Sequence, residues 1–143
     1  FVYRFPRAKL VVFANLEMKT RRDPRHQQRQ KLVKRLFAYS FQGKNPKISQ
    51  NNLIKPIVDQ LAKIDKKIVK AAPEFPLERL NRIDLAILRL AVFELLIEKK
   101  EPIKVIIDEA IELAKEFGSE KSPGFINGAL GAIVNNSKLT IKN

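Results

Sequence analysis

Residues 83–96, IDLAILRLAVFELL, are apolar on nearly every side. A helix of that composition has to sit in the middle of a fold, with neighbours all round it. Its three charges, Asp84, Arg89 and Glu94, then need partners of their own. This run is the heart of a helical stretch expected over about 77–98.

The segments around it read as the helices that would cover it. Asp23 can cap a first helix and Pro24 suits its first position. Leu32, Val33, Leu36, Phe37, Ser40 and Phe41 then form a 3.6-residue stripe, and Gly43, Asn45 and Pro46 end it. A second helix is expected over about 50–72, with Ile54, Ile57, Leu61, Ile64 and Ile68 on one face and Pro56 marking its start or a bend. Pro73 and Pro76 break it. A fourth runs over about 102–117, with Gly118 as its stop signal, and a fifth over about 122–136 from Ser122 and Pro123. No strand-type alternation appears after residue 20. The fold class is therefore all-α, a compact bundle of about five to six helices.

The chain has 143 residues, enough for one domain with a self-sufficient core. It has no cysteine, which removes disulfide scaffolds, thiolate metal sites and thiol nucleophiles. A cytoplasmic address is the simple reading of a chain without cysteine. No stretch reaches the ~18 apolar residues of a membrane span, and neither a membrane association nor a cofactor is expected. Residues 1–17 are rich in Val, Phe and Leu and differ in character from the rest of the chain. Met18 opens a basic stretch, MKTRRDPRHQQRQ, and is read as the working initiator. The alternatives are a secretory signal, for which no A-x-A-like cleavage site is present, and an extended segment packed on the body. The division is thus an extension over 1–20, a helical domain over 21–137 and a tail over 138–143.

The net charge of +13 is unevenly placed. Residues 1–70 carry 18 basic and 4 acidic side chains, whereas residues 71–143 carry 10 and 11. Such localised excess raises the potential toward polyanions, with nucleic acid first and an acidic protein or a membrane surface behind it.

Catalytic chemistry has little support. His26 is the single histidine and reads as a solvated arm residue. Asp108, Glu109, Glu112 and Glu116 cluster, and three of them share one helix face. A solvated face paired with Lys104 and Lys115 is the leading reading; a divalent-metal site lacks the loop pattern. Gly128 to Gly131 matches a bare GxxG, but inside an apolar helical pattern and without a Lys after it.

The basic arm is the stronger signal. Arg21 and Arg22 precede the cap. Arg25 and Arg29 continue the stripe that Val33, Leu36 and Ser40 occupy further along. Two guanidiniums on that stripe are costly to bury unpaired, so the first turns are expected to project past the core toward a ligand. Arg35 and Tyr39, one turn apart, place an aromatic edge beside a charge, an arrangement suited to phosphates and stacked bases.

Three blocks resemble the NusB family of bacterial transcription antitermination factors: RQKLVKRLF at 29–37, IDLAILRLAVFELL at 83–96, and VIIDEAIELAKEFGS at 105–119 with FINGAL after it at 125–130. The resemblance implies an all-helical protein of two small helical subdomains. It further implies binding of boxA-type single-stranded RNA in ribosomal RNA leaders, together with Nus factor E, a small-subunit ribosomal protein, and action on RNA polymerase. Arg22, Arg25 and Arg29 would form the RNA arm, with Arg21, Arg35, Tyr39, Lys121 and Phe125 as further candidate contacts. Asp84 and Phe37 would face the partner protein. The chain departs from the family in a shortened stretch between Phe41 and Asn52, in Lys121 where some members are acidic, in Asp108 for a common Asn and in Gly131 for a common Asp. Family members occur as monomers and as dimers. NusB-like domains also precede an rRNA methyltransferase domain, but this chain has no room for a cofactor-binding sheet. A module of rRNA processing or modification, or a pure protein-interaction module, stands as the alternative.

Overall fold

The computed structural model describes residues 23–42 and 44–139, which form seven α-helices. Helix α1, Pro24–Gln42, starts where the sequence places it. The Asp23 carboxylate accepts the Arg25 N–H at 2.8 Å, satisfying one of the free donors of the first turn. Two single turns come next, α2 at Pro46–Ser49 and α3 at Lys55–Val58. Each is preceded by an asparagine turn: Asn45 accepts from the Lys47 N–H and Asn51 from the Leu53 N–H, both at 3.0 Å. Helix α4 is Leu61–Ala71.

The single helix expected over 50–72 is thus two. The Gln60 N–H bonds Ile57 rather than continuing the i to i−4 ladder, and α4 restarts after it. The stretch 77–98 is likewise divided. Leu77–Arg79 is a 3₁₀ turn, and Asn81 caps a new helix, α5, Arg82–Phe93, by accepting the Ile83 N–H at 2.9 Å. The last turn, Glu94–Glu98, widens to π geometry. It closes on Lys99 in the left-handed region at φ 55, whose N–H reaches the Glu94 carbonyl at 2.9 Å. Helices α6, Ile103–Phe117, and α7, Ser122–Asn136, match the sequence reading to within a residue.

Helix α5 is the central element. All nine residues from Asp84 to Val92 are buried, and the helix packs against α1, α4, α6 and α7. Ile87, Leu88 and Leu90 meet Leu36, Ile64, Ile68, Ile106, Leu113 and Ile126 in one continuous core. Each fully buried side chain of this kind contributes about 1.5–3 kcal/mol. The three charges of the 83–96 run all find partners. Arg89 holds Asp65 of α4 in a two-pronged pair at 2.9 and 3.0 Å, Glu94 meets Arg29, and Asp84 bonds Ser122 at the start of α7. Among the described residues no helix is long and apolar enough to cross a membrane.

Candidate nucleic-acid interface

Helices α1 and α6 run in the same direction. Arg25 meets Glu101 just ahead of α6, His26 meets Glu109, Gln30 meets Glu116 and Lys34 lies over Phe117. Polar side chains bridge the two helices.

This bridge corrects three expectations. Arg29 does not project past the core: it is 6% exposed, its Nε donates to Glu94 Oε1 at 3.0 Å, and its Nη1 lies 3.8 Å from Glu109. Burial pushes the Glu94 carboxyl above the usual carboxylate range, and the bond and charge of Arg29 offset part of that. His26 is not a solvated arm residue. It is fully buried, with Nδ1 2.6 Å from Glu109 Oε2 and Nε2 bonded to Glu116 Oε1. The carboxylates of α6 are correspondingly not a solvated face: Glu112 is buried, while Glu109 and Glu116 turn toward α1. Sequence reasoning missed these partners. The available signal was the seven-residue spacing of Glu109 and Glu116, two helical turns, in a half of the chain whose acids could answer the basic half.

Arg25 does stand in solvent, its side chain 69% exposed, paired with Glu101 at 3.0 Å. It rims a groove of about 350 Å³ floored by Leu32, Leu53, Ile57 and Phe93. Lys31 and Lys34 are exposed as well, but Arg25 and Lys34, nine residues apart, point about half a turn from one another. The exposed cations of α1 therefore split into two groups on opposite flanks, and Lys31 and Lys34 were not among the sequence candidates.

On the Lys34 flank, cations and rings alternate. The Lys34 ammonium sits 5.7 Å over Phe117. Beyond Phe117 the connection 118–121 leads to exposed Lys121, whose carbonyl accepts the Phe125 N–H at 3.2 Å, so the two share the first turn of α7. Phe125 is half-buried and meets the half-exposed Phe75 edge-on at 5.8 Å. Phe75 was not among the sequence candidates.

Arg35 and Tyr39 are both half-buried. Tyr39 packs on the core about 21 Å along α1 from Arg25 and lines a different pocket, of about 510 Å³, with Lys44 and Arg82. Asp84, expected to face a partner protein, is 7% exposed beneath the start of α7. Burial raises its carboxyl above the usual range and the Ser122 bond partly offsets this. Phe37 is exposed and stands edge-on to Phe41 at 5.0 Å. Arg21, Arg22, Met18 and residues 1–17 lie outside the described residues.

The sequence profile of the NusB family matches residues 9–135. The transcription antitermination protein NusB of Chloroflexus aggregans is 52% identical over 73 residues, covering 50% of this chain and 49% of that protein. Its counterpart in Geobacter sp. strain M21 is 38% identical over 109 residues, 71% of this chain and 75% of that protein. The chain spans about half the length of the Chloroflexus relative and of its Roseiflexus counterparts (49%, 55% and 51%). Among solved structures, T. maritima NusB superposes with a TM-score of 0.69 at 35% identity, covering 79% of this chain and 92% of that one. With a family match over most of its length, on a bundle of the same fold, the chain belongs to the NusB family.

Proposed function

We propose that this protein is an RNA-binding transcription antitermination factor. It binds boxA-type single-stranded RNA of ribosomal RNA leaders together with Nus factor E, and the complex acts on RNA polymerase in the cytoplasm. It works by binding and not by catalysis. The observation that carries this reading is the alternation of exposed lysines with rings, Phe117 and Phe125 half-buried and Phe75 exposed, from Lys34 to Lys121. Lysines neutralise phosphates, and a ring worth ~1–3 kcal/mol per stacked base tolerates many sequences. Arg25, on the opposite flank, and Arg21 and Arg22 ahead of it would extend the path around the start of α1. Arg35 and Tyr39 would add contacts only if the RNA ran the length of the helix. In this reading Arg29 and Asp84 act from inside, by fixing α1 and the first turn of α7.

Titration of a short boxA-like RNA at several salt concentrations tests the proposal. With ~4–6 phosphates engaged, the log–log slope for a single strand is near −3 to −4. Lys34→Glu combined with Lys121→Glu should weaken binding and flatten that slope. A flat salt response in the unmodified protein would refute RNA binding, and turnover in a stand-alone methylation assay would refute the non-catalytic reading. The exposed Phe37–Phe41 pair favours a protein-docking role beside the RNA role.

A further inference from the structure

His26 is the one histidine of the chain, and its ring is fully buried between two carboxylates. A neutral imidazole has one N–H and one lone pair, so one of its nitrogens would present a lone pair to a carboxylate oxygen. Only the imidazolium can donate from Nδ1 to Glu109 and from Nε2 to Glu116 at once. The neighbours act on the two carboxylates, and Arg29, itself a cation, works against a second positive charge beside it. Gln30 donates to the second oxygen of Glu116 at 2.5 Å, and Arg29 stands 3.8 Å from the same Glu109 oxygen that faces the ring. Arg29 itself is bonded to Glu94 of the π turn, which leaves the Glu109 oxygen as the acceptor for His26. On α6, Glu112 lies between the two carboxylates in sequence and pairs with Lys115 at 3.6 Å.

We propose that His26 is a charge-dependent pin: its imidazolium ties the first two turns of α1 to α6, and loss of its proton loosens those turns and the cationic flank they carry. Burial works against the charge, but the bonds to Glu109 and Glu116 outweigh it, and the ring holds its proton above the ordinary value of 6.5. A raised value fixes the sign. The stabilisation is present in full below the ordinary value and is lost as the pH climbs through the raised one. The effect on RNA binding rests on the proposed function; the pin itself does not.

The solitary histidine makes the test direct, because its ring signals in a proton NMR spectrum need no assignment. In the free protein the His26 signal should titrate above the ordinary value, with both N–H protons visible at neutral pH. Amide exchange in the first two turns of α1, corrected for intrinsic base catalysis, should accelerate across the same midpoint. The acceleration is about tenfold for each unit by which the ring's proton affinity is raised. Glu116→Gln should lower the midpoint and shrink the step, and Glu109→Gln provides the same reading should that variant fold poorly. A ring that titrates at the ordinary value, or protection of α1 that ignores the ring's charge, overturns the proposal. RNA affinity measured over the same pH range should fall with the exchange step. A protein that binds no RNA at any pH would refute the functional reading and leave the pin to be decided by NMR and exchange.

Discussion

The Arg29 guanidinium lies across the Glu94 carboxylate, with Nε at 3.0 and 3.3 Å from its two oxygens and Nη2 at 2.9 Å, joining the first helix to the π turn that ends the central one. Both side chains are nearly closed off from solvent, 7% and 11% exposed. Removing one partner of such a pair leaves a charge buried and uncompensated, at a cost of about 3–5 kcal/mol. Arg29→Ala should therefore lower the midpoint of chemical denaturation sharply. Glu94→Gln, which keeps shape and one acceptor, should cost less. The double change Arg29→Met with Glu94→Leu should recover much of the loss, because replacing both charges by packed apolar groups is often neutral. If Arg29→Ala left stability unchanged, the pair would be no more than a surface contact.

The glycine at the end of α6 has a purpose that differs from the one its position suggests. Gly118 has φ −89 and ψ −171, an extended conformation open to any residue. Space is what excludes a side chain: an added Cβ would meet Ser122 Cβ and Oγ and the Ala114 carbonyl, all closer than 3 Å. Ser122 cannot yield, since its Oγ accepts the Ser119 N–H at 2.9 Å and it also bonds Asp84. Gly118→Ala should thus destabilise by about 1–3 kcal/mol, the usual cost of overpacking. Gly128→Ala is the control. It lies exposed within α7 with nothing within 4 Å of the new Cβ, so helix propensity should make it stabilising by ~0.5–1 kcal/mol. Thermal melts of the two variants should move in opposite directions.

Asp108 presents a pH-dependent case. Its Oδ1 is buried without a hydrogen-bond partner among the described residues. Burial raises its carboxyl above the usual range, the Lys104 charge partly offsets this and Glu109 adds to it. A raised carboxyl means that the folded protein prefers the protonated form, so stability drains as the pH rises through and beyond the ordinary carboxylate range. Asp108→Asn removes the ionised group and supplies two donors. It should stabilise by about 1 kcal/mol at pH 7 and by much less at pH 4. An equal gain at both values would show that the charge is not the cause.

The helices whose ends carry local signals were legible in the sequence. Asp23 with Pro24, Pro102, and Ser122 with Pro123 all mark real starts. The break before α5 was missed because its cap, Asn81, sits between Leu80 and Ile83, whose three-residue spacing continues a helical pattern across it. The π turn has no local marker: it carries Glu94, whose partner lies 65 residues away. The candidate site failed in the same way. Arg29 and His26 look like arm residues until their carboxylates arrive from 65 to 90 residues further on. A one-dimensional stripe says which face turns inward, and it does not say that acids wait there. Of the other flank, only Lys121 and Phe125 were named as candidates in the sequence reading, and the periodicity of α1 alone did not reveal that Arg25 and Lys34 point to different sides.

The last turns of α1 offer a second surface. Phe37 and Phe41 meet edge-on at 5.0 Å and remain 37% and 58% exposed, with the Arg82 guanidinium 4.5 Å over the Phe41 ring. Arg82 also donates to the Ser40 carbonyl, so the cation is held in place over the ring. Exposed aromatics backed by a fixed arginine are the residue types that dominate protein interfaces. Phe41→Ala removes mostly solvent-facing surface and should change stability by less than about 1 kcal/mol. Its effect on binding of a protein partner such as Nus factor E should be about tenfold or more, measured by calorimetry. RNA binding by the isolated protein should be untouched. Lys34→Glu should show the reverse pattern, weakening RNA and sparing the protein partner. If Phe41→Ala weakened RNA and partner alike, Lys34, Phe37 and Phe41, which share one face of α1 at intervals of three and four residues, would form one continuous surface.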